Sequence, residues 1–92
     1  MEEKAQAVAL YSGTVQGVGF RYTARRMARG FDVAGHVRNR PDGRVEVVAE
    51  GRREEVGAFL KAVQTAMDFY IDRVDVRWGK PSGAFKGFEV AF

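Results

Sequence analysis

The sequence predicts an α/β (α+β) two-layer sandwich, and three observations point to it. Two segments each show one apolar stripe at helical spacing: Phe20, Ala24, Met27, Ala28 and Phe31, then Val56, Phe59, Leu60, Val63 and Met67. The stretches around them alternate apolar and polar residues, the pattern of strands with one buried face. Their order is β-α-β-β-α-β with one short strand at the C-terminal end. Helices with a single stripe each need one sheet to cover, so both are expected on the same face. Right-handed crossovers then slot the third strand between the first and second, with neighbouring strands antiparallel. That is a ferredoxin-like sandwich.

The first strand is read over Ala7 to Gly13, where Val8, Leu10 and Ser12 alternate with Ala7, Ala9 and Tyr11. A loop, Thr14 to Gly19, leads into the first helix, which Gly30 is placed to end. Val33 to Asn39 is the second strand. Arg40-Pro41-Asp42-Gly43 then turns the chain, Pro pre-setting φ and Gly free to take φ > 0. In the third strand, Arg44 to Glu50, Val45, Val47 and Ala49 share a face, and Gly51 breaks the run before helix two at about Arg53 to Met67. Ile71 to Trp78 sets Val74, Val76 and Trp78 against Arg73, Asp75 and Arg77. After a loop from Gly79 to Gly83, Phe88, Val90 and Phe92 form the last strand, with Phe88 and Phe92 assigned to the core.

A chain of 92 residues, 46% hydrophobic and 29% charged, is read as one soluble globular domain over residues 1–92. With no cysteine it has neither disulfide nor thiol nucleophile, and it suits the cytoplasm. His36, its one histidine, leaves little for a metal site or proton relay and is read as a packing or surface residue. Met1-Glu2-Glu3-Lys4 is not the start of a signal peptide, and no apolar run approaches the roughly 20 residues of a membrane span. The net charge of +3 favours anionic partners.

That charge gathers in the helix that follows the loop. Gly17 and Gly19 stand between a strand and a helix, a geometry that aims unpaired backbone N–H groups at one point with the positive helix end behind them. Arg21 adds a permanently charged fork. From Arg21 to Gly30 there are four arginines and no acid, a concentration of charge that an anion would relieve. The first two strands run in the same direction, so Asn39, at the end of the second, comes near the start of this loop. A neutral amide there can hold a water by donating and accepting together.

Other candidates fail. Ser12 and Ser82 lack a histidine partner, and Asp42, Glu46 and Glu50 read as turn and strand residues. No Lys-Ser/Thr follows Gly19, so this is not a P-loop, and the third glycine of a dinucleotide fingerprint is missing. A cradle, an arginine and an asparagine without acid, base or nucleophile suit a leaving group that needs no proton. Carboxylates qualify, since their conjugate acids have pKa values of about 4. A mixed carboxylic–phosphoric anhydride therefore fits this equipment, and an alkyl phosphate does not.

With these residues in view, the chain resembles the acylphosphatase family. Val15 to Arg21, VQGVGFR, is similar to its phosphate loop, and Gly35 to Asn39 followed by Pro41 to Val47 is similar to its second signature. The likeness runs on through Glu50-Gly51, helix two and the Phe88 strand. It implies metal-independent, cofactor-free hydrolysis of a small-molecule acyl phosphate to carboxylate and inorganic phosphate. Arg21 and the backbone of Val15, Gln16, Gly17, Val18, Gly19 and Phe20 would bind the phosphoryl group, and Asn39 would orient the attacking water. Phosphate or sulfate would occupy the same site. The implied protein is a monomer without membrane or nucleic-acid partners. Two positions depart from the family: His36 stands where an aromatic is usual, and Thr65 to Tyr70 lacks the Gly-Pro that follows helix two. The competing readings are a basic RNA-binding module on the same fold and an interaction module without activity.

Overall fold

The computed structural model describes residues 3–92, so the reading of Met1 and Glu2 lies outside the described residues. In chain order the elements are β1 (Lys4–Gly13), α1 (Phe20–Ala28), β2 (Val33–Asn39), β3 (Val45–Arg52), α2 (Arg53–Ala66), a single 3-10 turn (Asp68–Tyr70), β4 (Ile71–Gly79) and β5 (Phe88–Val90). The sheet order is β4-β1-β3-β2-β5. As expected from the crossovers, β3 lies between β1 and β2 and is antiparallel to both, and β4 is antiparallel to β1. The short last strand differs: β5 runs parallel to β2, which makes the sheet mixed. The reason is directional. β4 finishes at Gly79, beside Gln6 near the start of β1, so the next strand must run back the way β1 and β2 run.

One face of the sheet buries Ala7, Ala9 and Tyr11 of β1, Val37 of β2, and Val45, Val47 and Ala49 of β3. Against it lie α1, over β2 and β5, and α2, over β1 and β3. Ala24 and Ala28 let α1 approach closely, while Phe59 of α2 is fully buried with the rings of Phe31 and Phe88 on it, centroids 5.8 and 5.2 Å away. Burying a ring of that size contributes about 1.5–3 kcal/mol. Among the described residues no helix is long and apolar enough to cross a membrane.

Four local expectations change. Helix α1 stops at Ala28, with Arg29 in right-handed conformation (φ −64°, ψ −22°), so no left-handed glycine closes it. The N–H groups of Arg29, Gly30 and Phe31 instead donate three residues back, to Arg26, Met27 and Ala28. β3 continues through Gly51, which pairs with both Ala5 and Val33, and α2 begins directly after it. Val76 and Trp78 remain 38% exposed, because β4 is the edge strand and α2 covers it only in part. Phe92 is not in the core: β5 ends at Val90 and Phe92 is fully exposed.

The open face of the sheet carries the two buried acids. Glu46 is opposite Arg38 in the ladder and accepts from His36 Nε2, Arg38 Nε and Arg40 Nη1, each at 2.9 Å. His36 thus anchors an ion cluster, with Phe85 edge-on to its ring. Glu50 receives Gln6 Nε2 at 2.5 Å, Ser82 Oγ at 2.6 Å, and the backbone N–H groups of Ser82 and Gly83 at 2.8 and 3.0 Å. It fastens the segment that carries the chain from β4 across to β5. Both acids therefore do more than a plain strand position requires.

Candidate active site

Val45 of β3 pairs with Tyr11 on one side and Asn39 on the other. The ends of β1 and β2 are thus level, two interstrand spacings or about 10 Å apart. The loop leaving β1 is tied down at both ends by Val15 and Phe20, 1% and 2% exposed, with the Phe20 ring 4.9 Å from that of Tyr11. Between them the backbone turns through Gly17 (φ 79°) and Gly19 (φ 81°), values that an L side chain rarely adopts. Gly19 is the N-cap of α1, and no side chain caps the helix. Its first-turn amides, which have no partner within the helix, are left to whatever occupies the space in front of them.

That space is a cavity of about 420 Å³ lined by Val15, Gly17, Gly19, Phe20, Arg21 and Asn39, and closed by Tyr22, Arg25, Glu89, Val90 and Phe92. The structure therefore brings the loop, the arginine and the asparagine to one hollow. Of the six loop residues, Gln16 and Val18 do not line it: Val18 leans on the core, and the Gln16 side chain turns to the β2–β3 connection. A larger groove of about 570 Å³ runs between α2 and β4, along Leu60, Lys61, Gln64, Val76 and Trp78, without comparable chemistry.

The partners of the arginines separate the site from its surroundings. Arg38 and Arg40 are bound to Glu46, and Arg44 to Asp42. Among the described residues no hydrogen bond or ion pair engages the Arg21 guanidinium or the Asn39 amide; Arg21 has only the Phe92 ring, 5.3 Å from it. Both side chains are half-buried at the cavity and free to bind a ligand. The crowding of cations at the start of α1 is less than the sequence suggested. The helix has nine residues, so Arg25 and Arg26 fall in its last turn, where the dipole favours them, and only Arg21 stands against the positive end.

The acylphosphatase family model matches residues 7–90. This chain belongs to the acylphosphatase family. It is 44% identical over 91 residues to an acylphosphatase of Roseiflexus sp., covering 98% of each chain. Among solved structures, the acylphosphatase from Bacillus subtilis superposes with a TM-score of 0.87 at 34% identity, over 96% of this chain and 99% of that one. The fold also matches part of a longer protein, T. kodakarensis HypF, with a TM-score of 0.76 at 30% identity over 98% of this chain and 12% of that one. For an acylphosphatase, several lining residues were not legible from the motifs. Arg25 lies one helical turn past Arg21, and Tyr22 directly follows Arg21 in the chain. Glu89, Val90 and Phe92 reach the cavity only because β5 returns beside β2. Among the described residues no group of three or more His, Cys, Asp or Glu side chains is placed to hold a metal ion.

Proposed function

We propose that this acylphosphatase hydrolyses acyl phosphates without a metal ion, using Arg21 and the 15–20 backbone loop to bind the phosphoryl group and Asn39 to orient the attacking water. The observation that carries the reading is that Arg21 and Asn39, both without hydrogen-bond partners among the described residues, line the same cavity as the uncapped start of α1. The guanidinium fork and the loop amides neutralise charge on the three phosphoryl oxygens. The Asn39 carbonyl accepts a hydrogen from water and aims its oxygen at phosphorus. As the new P–O bond forms, the bond to the acyl oxygen breaks and the carboxylate leaves with the electron pair. The proton of the water passes to a phosphoryl oxygen, so no side-chain base is needed. Inorganic phosphate, the product, competes for the same cradle, as sulfate should.

The open sheet face supports this reading over RNA binding. Gln6, Leu10, His36, Arg38, Glu46, Val48 and Glu50 occupy it in ladder register, and the one ring among them, His36, is bound to Glu46 and set edge-on to Phe85, where an RNA-binding sheet would present free stacking aromatics. The reading is of a monomer with a small-molecule substrate, in a cysteine-free chain suited to the reducing cytoplasm.

The test is release of phosphate from acetyl phosphate with a chelator present. Undiminished turnover is expected, together with loss of most activity in Arg21→Lys, since an ammonium cannot form a bidentate pair. Activity that vanishes with chelation, or normal turnover by Arg21→Lys, contradicts the proposal.

A further inference from the structure

Of the two loop side chains that turn away from the cavity, Gln16 makes two long-range bonds. Gln16 Nε2 donates to the carbonyl of Arg40 at 2.8 Å and to that of Arg44 at 3.0 Å. Both acceptors belong to the neck of the β2–β3 turn, which Arg40 N–H closes on the Arg44 carbonyl at 2.8 Å. An amide NH₂ has two hydrogens, and the geometry uses both. Arg40 directly follows Asn39. The cradle on one side of β3 and the asparagine on the other are thus joined across the end of that strand by a single carboxamide.

We infer that the Gln16 side chain is a positioning residue, setting the distance from the amide cradle to the Asn39 carboxamide. The inference rests on the proposed function above. Val15 and Phe20 seat the cradle in the core without Gln16, and the β2–β3 ladder holds Asn39 without it. Among the described residues, only the Gln16 bridge hydrogen-bonds the cradle to the turn beside Asn39. Removing it should leave phosphate binding intact and misplace the water.

The experiment pairs Gln16→Met, which keeps the length and loses both donors, with Gln16→Ser, which loses the reach. In each, kcat for acetyl phosphate should fall roughly 10–100-fold, as misplacement of reacting groups does. Inhibition by inorganic phosphate should be unchanged. Added to Asn39→Ala, neither change should lower kcat further, because the bridge acts only through that residue. Unchanged kcat in both variants overturns the inference. So does phosphate inhibition that weakens in step with kcat, or a loss that multiplies with that of Asn39→Ala. Unfolding of both variants by circular dichroism also overturns it, since it would assign the bridge to stability. If the wild type does not hydrolyse acetyl phosphate, or Arg21→Lys remains active, the underlying reading has failed; if only the Gln16 variants are silent, this inference alone has.

Discussion

Asn39 and Tyr11 stand level across β3 on the helix-facing side of the sheet, and they show two ways in which a polar group can lack a partner. Asn39 is half-buried at a cavity, where its amide can serve a ligand. Replacing it by alanine should lower kcat by about 10²–10³ while phosphate still inhibits, as when a donor to the transition state is lost; a change confined to KM would remove the water-holding role. The hydroxyl of Tyr11 is fully buried with no hydrogen-bond partner among the described residues, and burial pushes its pKa above the ordinary phenol range. A buried orphan of this kind costs stability, so Tyr11→Phe should stabilise the protein by roughly 1 kcal/mol in urea denaturation. A loss of similar size would reveal a partner for the hydroxyl. Arg21 and Asn39 were legible because their chemistry is in the residue type and their approach follows from two strands running the same way. Phe92 was not: its side chain reads as the next apolar position of a strand that in fact ends at Val90.

At the scale of elements, β2 depends on a backbone contact that no side chain could share. Gly35 has φ 150°, and a Cβ placed on it would lie 1.8 Å from the Val48 carbonyl oxygen. Since that atom is main chain in the neighbouring strand, only separation of β2 from β3 would relieve the clash. Gly35→Ala should therefore cost at least about 3 kcal/mol, the upper range for overpacking a tight site, as read from the urea midpoint. Wild-type stability would show that the ladder can open there cheaply. The lengths of α1 and β3 were less legible than their existence. Gly30 and Gly51 look like stop signals, yet α1 ends in a tight turn of three-residue hydrogen bonds and β3 passes through its glycine. At Gly51 interstrand pairing outweighs local preference, whereas at Gly30 the closing bonds are themselves local.

Across the whole molecule, the two buried acids make stability depend on pH. Burial alone would raise the Glu46 carboxyl, but hydrogen bonds from Arg38, His36 and Arg40 outweigh it and lower its pKa from 4.5 to about 2. Burial likewise opposes, and the bonds from Ser82, Gln6 and Gly83 prevail in lowering, the pKa of Glu50. In both cases the unfolded chain takes up a proton before the native one does. The stabilisation is complete above the unfolded pKa near 4.5 and is lost as pH falls below it, toward about 2 for Glu46. Melting temperature should hold steady from neutral pH down to about 5 and then drop steeply. Glu46→Gln should flatten part of that drop; an identical acid profile in the variant would place the pH dependence elsewhere.

The sequence by itself determined the element order, the sheet order around β3, the apolar face of each helix, and that the glycine loop, Arg21 and Asn39 come together at the candidate site. These follow from local periodicity, strand direction and the handedness of crossovers, all written in neighbouring residues. Only the tertiary structure decided that β5 runs parallel to β2, that Phe92 stands against Arg21, that Glu46 and Glu50 hold the open face together, and that Gln16 joins the cradle to the Asn39 turn. Apart from the Glu46 cluster, which forms across the β2–β3 hairpin, those contacts join residues far apart in the chain, and their side chains carry no sign of the partner until the backbone brings it close.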